Sequence, residues 1–412
     1  MKILWVKTDF LHPTNRGGQI RTLEMLRQLH CRNEVHYIAY DDPDSSEGRE
    51  RASEYSSYSY PVNRAVPARH SPAFLGQLAA NLFSPLPLAV GRYESREMKD
   101  AIAAVMARHN FDAIVCDFLS SAPNIPDLSR AVLFQHNVES RIWERHAKHA
   151  PDPIRRAYFS IQANRMRRCE GEFCRTAAHV VSVSPNDTRD MKTLFGVERI
   201  SEVPTGVNVD YFAPLEQPRT EWDLVFVGAM DWLPNVDGVR WFTTEVLPRI
   251  RERRPGTTLA LAGRNPDPAI IAAARQDPLI TVTGTVPDIR PYIWNSAVSV
   301  VPLRVGGGTR LKIYEAMAAG VPVISTGVGA EGLAVTDGRD ILLADDPAQF
   351  SAHCVALLES AQKRAVQSMH ARELVSANFS WNRVAAVFED ILRNAARRRN
   401  AAGRNVLADA VH

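Results

Sequence analysis

The sequence predicts an α/β protein with two doubly wound domains that face each other across a cleft. Short apolar runs rich in β-branched residues alternate with helical stretches along nearly the whole chain, a pattern typical of parallel sheets covered on both faces. The chain has 412 residues, which exceeds the usual size of a single core. The alternation is interrupted only once, so we expect two sheets of similar size.

The first domain is predicted to cover residues 1–205. Its strands are the runs KILWV (2–6), VHYIAY (35–40), DAIVCD (112–117), AVLFQ (131–135) and HVVSVS (179–184). A polar loop follows the first strand, and IRTLEMLRQL then has helical periodicity. A long arginine-rich helix is predicted over 153–178.

The interruption lies at 202–222, where EVPTGVNVDYFAPLEQPRTEW combines prolines with a glycine, and we interpret it as the domain junction. The second domain is predicted over 206–382, followed by a terminal helix and basic tail at 383–412. Its strands are DLVFVG (223–228), TLALAG (258–263), ITVTG (280–284), VSVVPL (298–303) and VPVIST (321–326). Its helices are expected near 236–252, 268–275, 288–296 and 309–319.

Composition narrows the class of protein. Hydrophobic residues make up 45% and charged residues 23%, with a net charge of +3, as in an ordinary soluble protein and unlike one that binds nucleic acid. The amino-terminal run MKILWVKTDF is a strand and lacks the apolar core of a signal peptide. No apolar window is long enough for a membrane-spanning helix. We therefore expect a cytoplasmic protein with reduced cysteines.

Residues 306–320, GGGTRLKIYEAMAAG, form the most informative stretch. A strand precedes the glycines, and a helix is predicted with Thr309 as its N-cap and Gly320 as its stop. Glycine-flanked helix N-termini bind anions through unpaired N–H groups. Arg310 and Lys312 oppose the helix dipole unless an anion is bound. The loop is therefore a candidate phosphate site.

Glu315 lies one turn further into this helix. One interpretation is a solvent-facing glutamate, or an i,i+3 partner of Lys312. The other is a carboxylate that accepts hydrogen bonds from the two hydroxyls of a ribose. Spacing alone leaves both interpretations open.

Four stretches together resemble the retaining, family 4 glycosyltransferases of the GT-B fold. They are VPTGVNVDYFAP (203–214), VFVGAMDWLPNVDGVRWF (225–242), TGTVPDIRPYI (283–293) and PLRVGGGTRLKIYEAMAAGVPVISTGVGAEGL (302–333). The resemblance extends over nearly all of the chain, and several of these fragments resemble a subgroup found in exopolysaccharide and other cell-envelope sugar assembly. It implies two Rossmann-like domains and a C-terminal helix that returns to the first domain.

The resemblance also implies roles for the residues of the loop. Its motif of two glutamates places the second, which binds ribose, at Glu315, whereas Gly307 occupies the place of the first. The backbone of Gly307, Gly308 and Thr309 would contact the sugar, and the N–H of Leu311 the diphosphate.

The family's usual Arg and Lys pair is absent from GAMDWLPN (228–235). We expect Arg310 and Lys312 to replace it and to neutralise the leaving nucleoside diphosphate without a metal. The DxD at Asp42 and Asp44 lies in a polar turn and is explained by turn chemistry.

The remaining site residues are also implied by resemblance. Gly17 and Gly18 match a glycine loop near the donor phosphates, and His136 matches a histidine beside the transferred sugar. An ordinary histidine at a strand end is the other interpretation of His136. Three further donor-binding residues and one acceptor-side residue complete the set: Gly228, Val286 and Glu331, and Asp117.

The sequence thus predicts metal-independent transfer of a hexose from a nucleotide sugar to an acceptor hydroxyl with retention of configuration. The catalytic set is His136, Arg310, Lys312 and Glu315, and no cofactor or metal is expected. Because Gly307 replaces a glutamate, an inactive donor-binding partner subunit stays an alternative, as does a nucleotide-sugar epimerase. The acceptor would be a glycan, a lipid-linked glycan or a small molecule. The arginines of 153–178 fit either peripheral membrane contact or a solvated helix. The donor nucleotide and the oligomeric state are left open.

Overall fold

The computed structural model of the chain describes residues 1–14, 17–42, 45–64, 71–81, 83–150, 152–216, 220–305 and 310–409, and it leaves out the side chains of 400 and 402–409. The chain divides into two compact units. Unit 1 comprises Met1–Pro204 together with Val384–His412, and unit 2 comprises Thr205–Arg383. The fold is therefore that of two separate α/β units, with the C-terminal segment belonging to the first.

Unit 1 is built on a parallel sheet. Its strands are β1 (Lys2–Val6), β2 (Glu34–Tyr40), β3 (Tyr58–Val62), β4 (Ala113–Asp117), β5 (Ala131–Phe134), β6 (His179–Ser182) and β7 (Ile200–Glu202). In the described part of the chain they are ordered β3-β2-β1-β4-β5-β6-β7. The central strands are buried along their length, which is why their sequences read as unbroken apolar runs.

Helices cover this sheet. They are α1 (Gly17–His30), α2 (Glu47–Glu50), α3 (Pro72–Asn81), α4 (Leu88–Gly91), α5 (Arg96–Arg108), α6 (Glu139–Lys148), α7 (Pro153–Thr176) and α8 (Pro185–Phe195). Side-chain caps fix the starts of three of them, at Ser95, Asp152 and Ser184. Helix α8 ends at Gly196, whose positive φ of 67° suits a glycine.

Unit 2 repeats the plan with strands β8 (Trp222–Val227), β9 (Leu259–Ala262), β10 (Ile280–Val282), β11 (Ser296–Val301), β12 (Val323–Ser325) and β13 (Leu342–Leu343). Among the described residues their order is β10-β9-β8-β11-β12-β13, all parallel. The helices are α9 (Leu233–Trp241), α10 (Leu247–Arg253), α11 (Pro268–Gln276), α12 (Arg290–Trp294), α13 (Leu311–Ala318), α14 (Pro347–Leu358) and α15 (Ala361–Asn378).

The last helix, α16 (Trp381–Asp409), begins in unit 2 and continues into unit 1. Trp381 packs against Gly206 of unit 2, where a Cβ would lie 2.6 Å from the indole ring. Phe388 is fully buried in unit 1, with its ring centroid 5.6 Å from that of Trp5 and 5.0 Å from that of Phe134. Aromatic packing therefore fixes this helix within unit 1.

The α/β class and the predicted strands are confirmed, and the differences lie at the edges. Strands β3, β7 and β13 were not predicted, because most of their residues are exposed or half-buried and they lack the apolar run of a central strand. The helix expected over 236–252 is interrupted by a π-helical turn at Phe242–Val246. The helix expected from Thr309 begins at Leu311 instead, with Arg310 in the N-cap position.

Candidate functional site

The candidate donor site lies at the switch point of the unit 2 sheet. Strands β8 and β11 are neighbours there, and the chain continues from β8 towards one edge and from β11 towards the other. Ligands of open α/β sheets bind beyond the carboxyl ends of such strands. Gly228 directly follows β8, and α13 follows β11, so the predicted residues of both segments come to this point.

Lys312 is the central cation of the donor site. Its Nζ donates a hydrogen bond of 3.0 Å to Asn235 Oδ1 and lies 4.3 Å from the centroid of the Phe226 ring. Burial, reinforced by the nearby charge of Arg310, lowers the pKa of Lys312 to about 7. At neutral pH Lys312 is therefore only partly charged, and an anionic ligand would stabilise its charged form.

Asn235 was not predicted as a site residue, yet it orients this lysine. Its Nδ2 donates to the backbone carbonyl of Ala229 at 2.7 Å, which leaves Oδ1 for the ammonium of Lys312. The side chain is buried, with 3% of its surface exposed. The signal in the sequence was weak, because an uncharged residue in the first turn of α9 suggests no phosphate contact.

Gly228 is required by close packing at the same point. A Cβ there would lie 2.7 Å from Asn235 Nδ2 and 2.7 Å from Lys312 Nζ. Any larger residue would displace the lysine–asparagine pair. The predicted donor-binding glycine therefore acts at least by leaving room for Lys312.

Glu315 lies one turn after Lys312 on α13. Burial raises the pKa of Glu315 to about 7, against the opposing effect of the Lys312 charge. Among the described residues no group donates a hydrogen bond to its carboxylate. The side chain is half-buried, which does not fit the interpretation as a fully solvated glutamate. Its carboxylate is available to a polar ligand.

Arg310 closes the amino-terminal end of α13. It is 5% exposed, and its guanidinium lies 5.1 Å from the centroid of the Trp232 ring. Leu311 is the first residue of the helix, where backbone N–H groups have no partner within the helix. Gly307, Gly308 and Thr309 lie outside the described residues, as does Asp44.

Two further predicted donor residues lie in loops of unit 2. Val286 lies between β10 and α12 and is half-buried, and Glu331 lies after β12 and is exposed. The structure gives neither side chain a contact with Lys312 or Glu315.

The switch point of unit 1 lies between β1 and β4, and it is filled by the protein's own side chains. Asp117, at the end of β4, is fully buried. Its carboxylate accepts hydrogen bonds from four groups: Trp5 Nε1 at 3.0 Å, Lys7 Nζ at 3.1 Å, Thr22 Oγ1 at 2.7 Å and His136 Nε2 at 2.7 Å. Burial alone would raise the pKa of Asp117, but Lys7 and the bonds from His136 and Thr22 hold it well below its usual value. Asp117 is thus a permanently charged anchor.

His136 belongs to the same network. Its Nε2 faces Asp117, and its Nδ1 lies 3.1 Å from a guanidinium nitrogen of Arg21. Burial, helped by the cations of Arg21 and Lys7, lowers the pKa of His136 to about 3 in spite of Asp117. The ring is therefore neutral, with Nε2 donating to Asp117 and Nδ1 accepting from Arg21. Both ring nitrogens have partners inside unit 1.

Phe118 follows Asp117 in an unusual backbone conformation, with φ 68° and ψ 150°. Its ring stacks on His136 at a centroid distance of 3.8 Å, with Lys7 Nζ 4.0 Å from its centroid. Non-glycine residues in this region store about 1–3 kcal/mol of strain. The network of Asp117 therefore holds a half-buried aromatic ring in place.

The prediction that Gly17 and Gly18 form a loop is wrong. They are the first two residues of α1. A Cβ on Gly18 would lie 2.6 Å from the Phe118 ring, so packing against that ring explains this glycine.

Comparison with known proteins identifies a family whose members resemble residues 221–360 of unit 2. The model of the family described as "Glycosyl transferases group 1" matches residues 221–360, which include Asn235, Lys312 and Glu315. This segment is therefore similar to group 1 glycosyltransferase domains. The chain is 25% identical over 247 residues to D-inositol 3-phosphate glycosyltransferase 2 of Catenulispora acidiphila, a match that covers 54% of this chain and 57% of that protein. The chain spans about half the length of such curated relatives.

Solved structures agree on the fold around this segment. Sucrose-phosphate synthase of Thermosynechococcus elongatus superposes with a TM-score of 0.67 at 18% identity, over 95% of this chain and 98% of that one. HepE of Anabaena, solved in complex with UDP, superposes with a TM-score of 0.65 at 14% identity, over 96% and 100% of the two chains. The chain therefore has the GT-B fold.

The described residues contain neither a metal-binding cluster nor a membrane-spanning helix. No group of three or more His, Cys, Asp or Glu in that part of the chain is arranged to hold a metal ion. None of the helices found there is long and apolar enough to cross a membrane.

Proposed function

We propose that the protein transfers a hexose from a nucleoside diphosphate sugar to an acceptor hydroxyl, with unit 2 holding the donor. The observation that carries this proposal is the pair Lys312 and Glu315. They lie one turn apart at the switch point of the unit 2 sheet, within the segment that resembles group 1 glycosyltransferase domains, and burial brings the pKa of both to about 7. A nucleoside diphosphate supplies both an anion for the lysine and hydroxyls for the carboxylate.

The diphosphate binds at the amino-terminal end of α13. Lys312 and Arg310 supply positive charge, and the N–H of Leu311 points along the helix axis towards the phosphates. As the glycosidic bond breaks, negative charge grows on the leaving diphosphate. Fixed cations in a buried site stabilise that charge more in the transition state than in the ground state. This electrostatic work is the role that we assign to Lys312 and Arg310 in catalysis.

The ribose binds at Glu315. A carboxylate that accepts two hydrogen bonds from vicinal hydroxyls must be ionised, and donation by those hydroxyls offsets its desolvation. In the same complex the diphosphate keeps Lys312 protonated. Ligand binding therefore moves both groups to their charged forms at once.

The finer features of the reaction are part of the proposal. UDP-glucose is the first donor to test, because HepE was solved in complex with it. Retention of configuration, independence of metal and a role in cell-envelope or exopolysaccharide assembly rest on the motifs of residues 203–333. The leaving diphosphate oxygen would take the proton of the acceptor hydroxyl, so no protein base is needed.

Unit 1 is proposed to contribute the acceptor side, with Asp117 and His136 acting through the residues that they hold in place. Because both nitrogens of His136 are engaged by Asp117 and Arg21, we assign it a positioning role and not proton transfer. It supports the Phe118 ring and fixes the end of β4.

The donor proposal is tested by calorimetric titration with UDP, GDP, ADP and dTDP, each with magnesium and with EDTA. We expect one nucleotide to bind equally well in both conditions. Lys312→Met should weaken that binding strongly, whereas Lys363→Met, at an exposed position of α15, should not change it. If none of the four nucleotides binds, the assignment of unit 2 as donor site is wrong.

Transfer itself is tested with UDP-glucose and alkyl glycoside acceptors, by following UDP release and the anomeric configuration of the product. An α-glucoside formed from the α-linked donor would support retention. Binding of the nucleotide without turnover would favour the inactive partner, since Gly307 replaces a glutamate in the motif. An isomerised sugar nucleotide would indicate an epimerase.

A further inference from the structure

Unit 1 carries a group of large apolar side chains on its surface, on and beside α3 and α7. Phe83 is 91% exposed, Ile154 83%, Leu75 58% and Ile161 47%. We call these four residues the apolar patch. Single exposed apolar side chains are common on proteins, but a group of large ones is typical of an interaction site.

Hydrogen bonds join the carboxyl-terminal end of α3 to the middle of α7, close to two members of the apolar patch. The last residue of α3, Asn81, accepts from Gln162 Nε2 at 2.9 Å and, through its carbonyl, from Arg165 Nη1 at 2.6 Å. Phe83 is two residues beyond Asn81, and Ile161 precedes Gln162. The two helices therefore meet next to Phe83 and Ile161, whose side chains are exposed.

The helical period puts the α7 residues of this region on one stripe. Ile154, Tyr158, Ile161, Arg165 and Arg168 are spaced by four, three, four and three residues, which keeps them on one face of an α-helix. At Arg165 the stripe contacts the carboxyl-terminal end of α3, through the carbonyl of Asn81. Its amino-terminal half is apolar, and its carboxyl-terminal half is basic.

Arginines outnumber acidic side chains around the apolar patch, although Asp152 pairs with Arg155 and Glu144 lies near Arg167. Residues 55–93 and 153–169 contain no Asp or Glu, whereas 153–169 contain five arginines. Arg156 and Arg168 are exposed and make no ion pair within the described part of the chain. Helix α3 has no charged residue at all, although most of its residues are exposed. The surface is therefore both apolar and cationic.

We propose that this surface docks unit 1 onto an anionic lipid bilayer, with the apolar patch entering the interface and the arginines meeting the lipid headgroups. Apolar side chains flanked by basic ones fit this boundary, where burial of apolar area and attraction to anionic lipids add together. A second copy of the chain fits less well, because a two-fold interface would bring the arginines of both copies together. The inference does not depend on the transferase activity, and it applies whatever the acceptor is.

The test is co-sedimentation of the full chain with vesicles of phosphatidylcholine alone and with vesicles of equal parts phosphatidylcholine and phosphatidylglycerol. We expect binding to the anionic vesicles and release by salt. Phe83→Ser combined with Ile154→Ser should lower the affinity by at least about 100-fold, and Arg156→Gln and Arg168→Gln by about fivefold each. The substituted side chains are exposed, so the fold is retained. Nucleotide binding should stay unchanged in each variant.

The matched control is Val366→Ser combined with Met369→Ser on α15, where the two side chains are 47% and 59% exposed. This variant should bind vesicles like the wild type. The proposal would be overturned by equal binding to neutral vesicles, by absence of binding, or by equal losses in control and patch variants. It would also be overturned if the patch variants abolished self-association measured without lipid, because a second copy would then be the occupant.

Discussion

The two sheets of the molecule have the same topology at their switch points, but the buried charged groups there differ in how many hydrogen-bond partners they have. In unit 1, Asp117 receives four hydrogen bonds and both nitrogens of His136 have partners. In unit 2, Lys312 has one hydrogen bond, to Asn235, and the described residues donate none to the carboxylate of Glu315. The switch point of the unit 1 sheet thus holds a network whose polar groups all have partners, and that of the unit 2 sheet holds a pair whose hydrogen bonds are incomplete.

The difference separates a group that stabilises the fold from groups reserved for a ligand. Buried polar groups in proteins normally have hydrogen-bond partners. Substituting one member of such a network destabilises the fold, because it leaves a buried charge without a partner. A half-satisfied pair costs stability unless something binds to it. We therefore expect substitutions in the first network to impair folding, and substitutions in the second pair to impair binding.

The largest effect is expected for Asp117→Ala. Removing the carboxylate leaves Lys7 buried without its counter-charge, which should lower the free energy of unfolding by about 3–5 kcal/mol. Urea denaturation measures this loss. The exposed Asp100→Ala, which breaks only a surface pair with Arg96, should change it little. An Asp117→Ala protein as stable as the wild type would remove the distinction between the two sites.

Lys312→Met should have the opposite effect to Asp117→Ala, lowering the rate of transfer without lowering stability. We expect the rate constant for transfer to fall by about 10²–10³-fold, since one fixed donor to developing charge is lost. Unfolding free energy should stay the same or rise, because methionine needs no hydration at a buried position. Denaturation and single-turnover transfer of the same preparation give both values. A large loss of stability without loss of binding would make Lys312 a structural residue.

The pH dependence of donor binding should report the protonation of Lys312 and Glu315. Below pH 7, binding must remove a proton from Glu315, whose pKa is raised to about 7, and above pH 7 it must add one to Lys312, whose pKa is lowered to about 7. Affinity for UDP-glucose should therefore peak near pH 7 and fall by up to about tenfold per pH unit on either side. Glu315→Gln should remove only the acidic limb. A flat profile between pH 5 and 9 would contradict both assignments.

A smaller effect is expected for Asn235→Ala. Loss of the hydrogen bond to the charged ammonium should weaken UDP binding by about tenfold, corresponding to about 1.5 kcal/mol. Because Asn235 acts through Lys312, the double variant with Lys312→Met should bind no more weakly than Lys312→Met alone. Additive losses would mean that Asn235 contacts the nucleotide independently.

The sequence predicted those parts of the structure that depend on local pattern. Buried strands such as β1 and β11 appeared as apolar runs, and the cations of α13 stood out because they oppose the helix dipole. Partners distant in sequence could not be predicted: Arg21 is 115 residues from His136, and Asn235 is 77 residues from Lys312. Only the fold shows that the nitrogens of His136 are already engaged.

Binding of the ribose of a nucleoside diphosphate by Glu315 is tested most directly by comparing a nucleotide that has the ribose hydroxyls with one that lacks them. UDP and 2′,3′-dideoxy-UDP are titrated against the wild type and against Glu315→Gln at pH 7. We expect the substitution to weaken UDP binding by roughly 30- to 1,000-fold, corresponding to roughly 2–4 kcal/mol for two charge-assisted hydrogen bonds. It should leave the dideoxy nucleotide almost unaffected. An equal loss for both nucleotides, or none for either, would show that Glu315 does not contact the ribose.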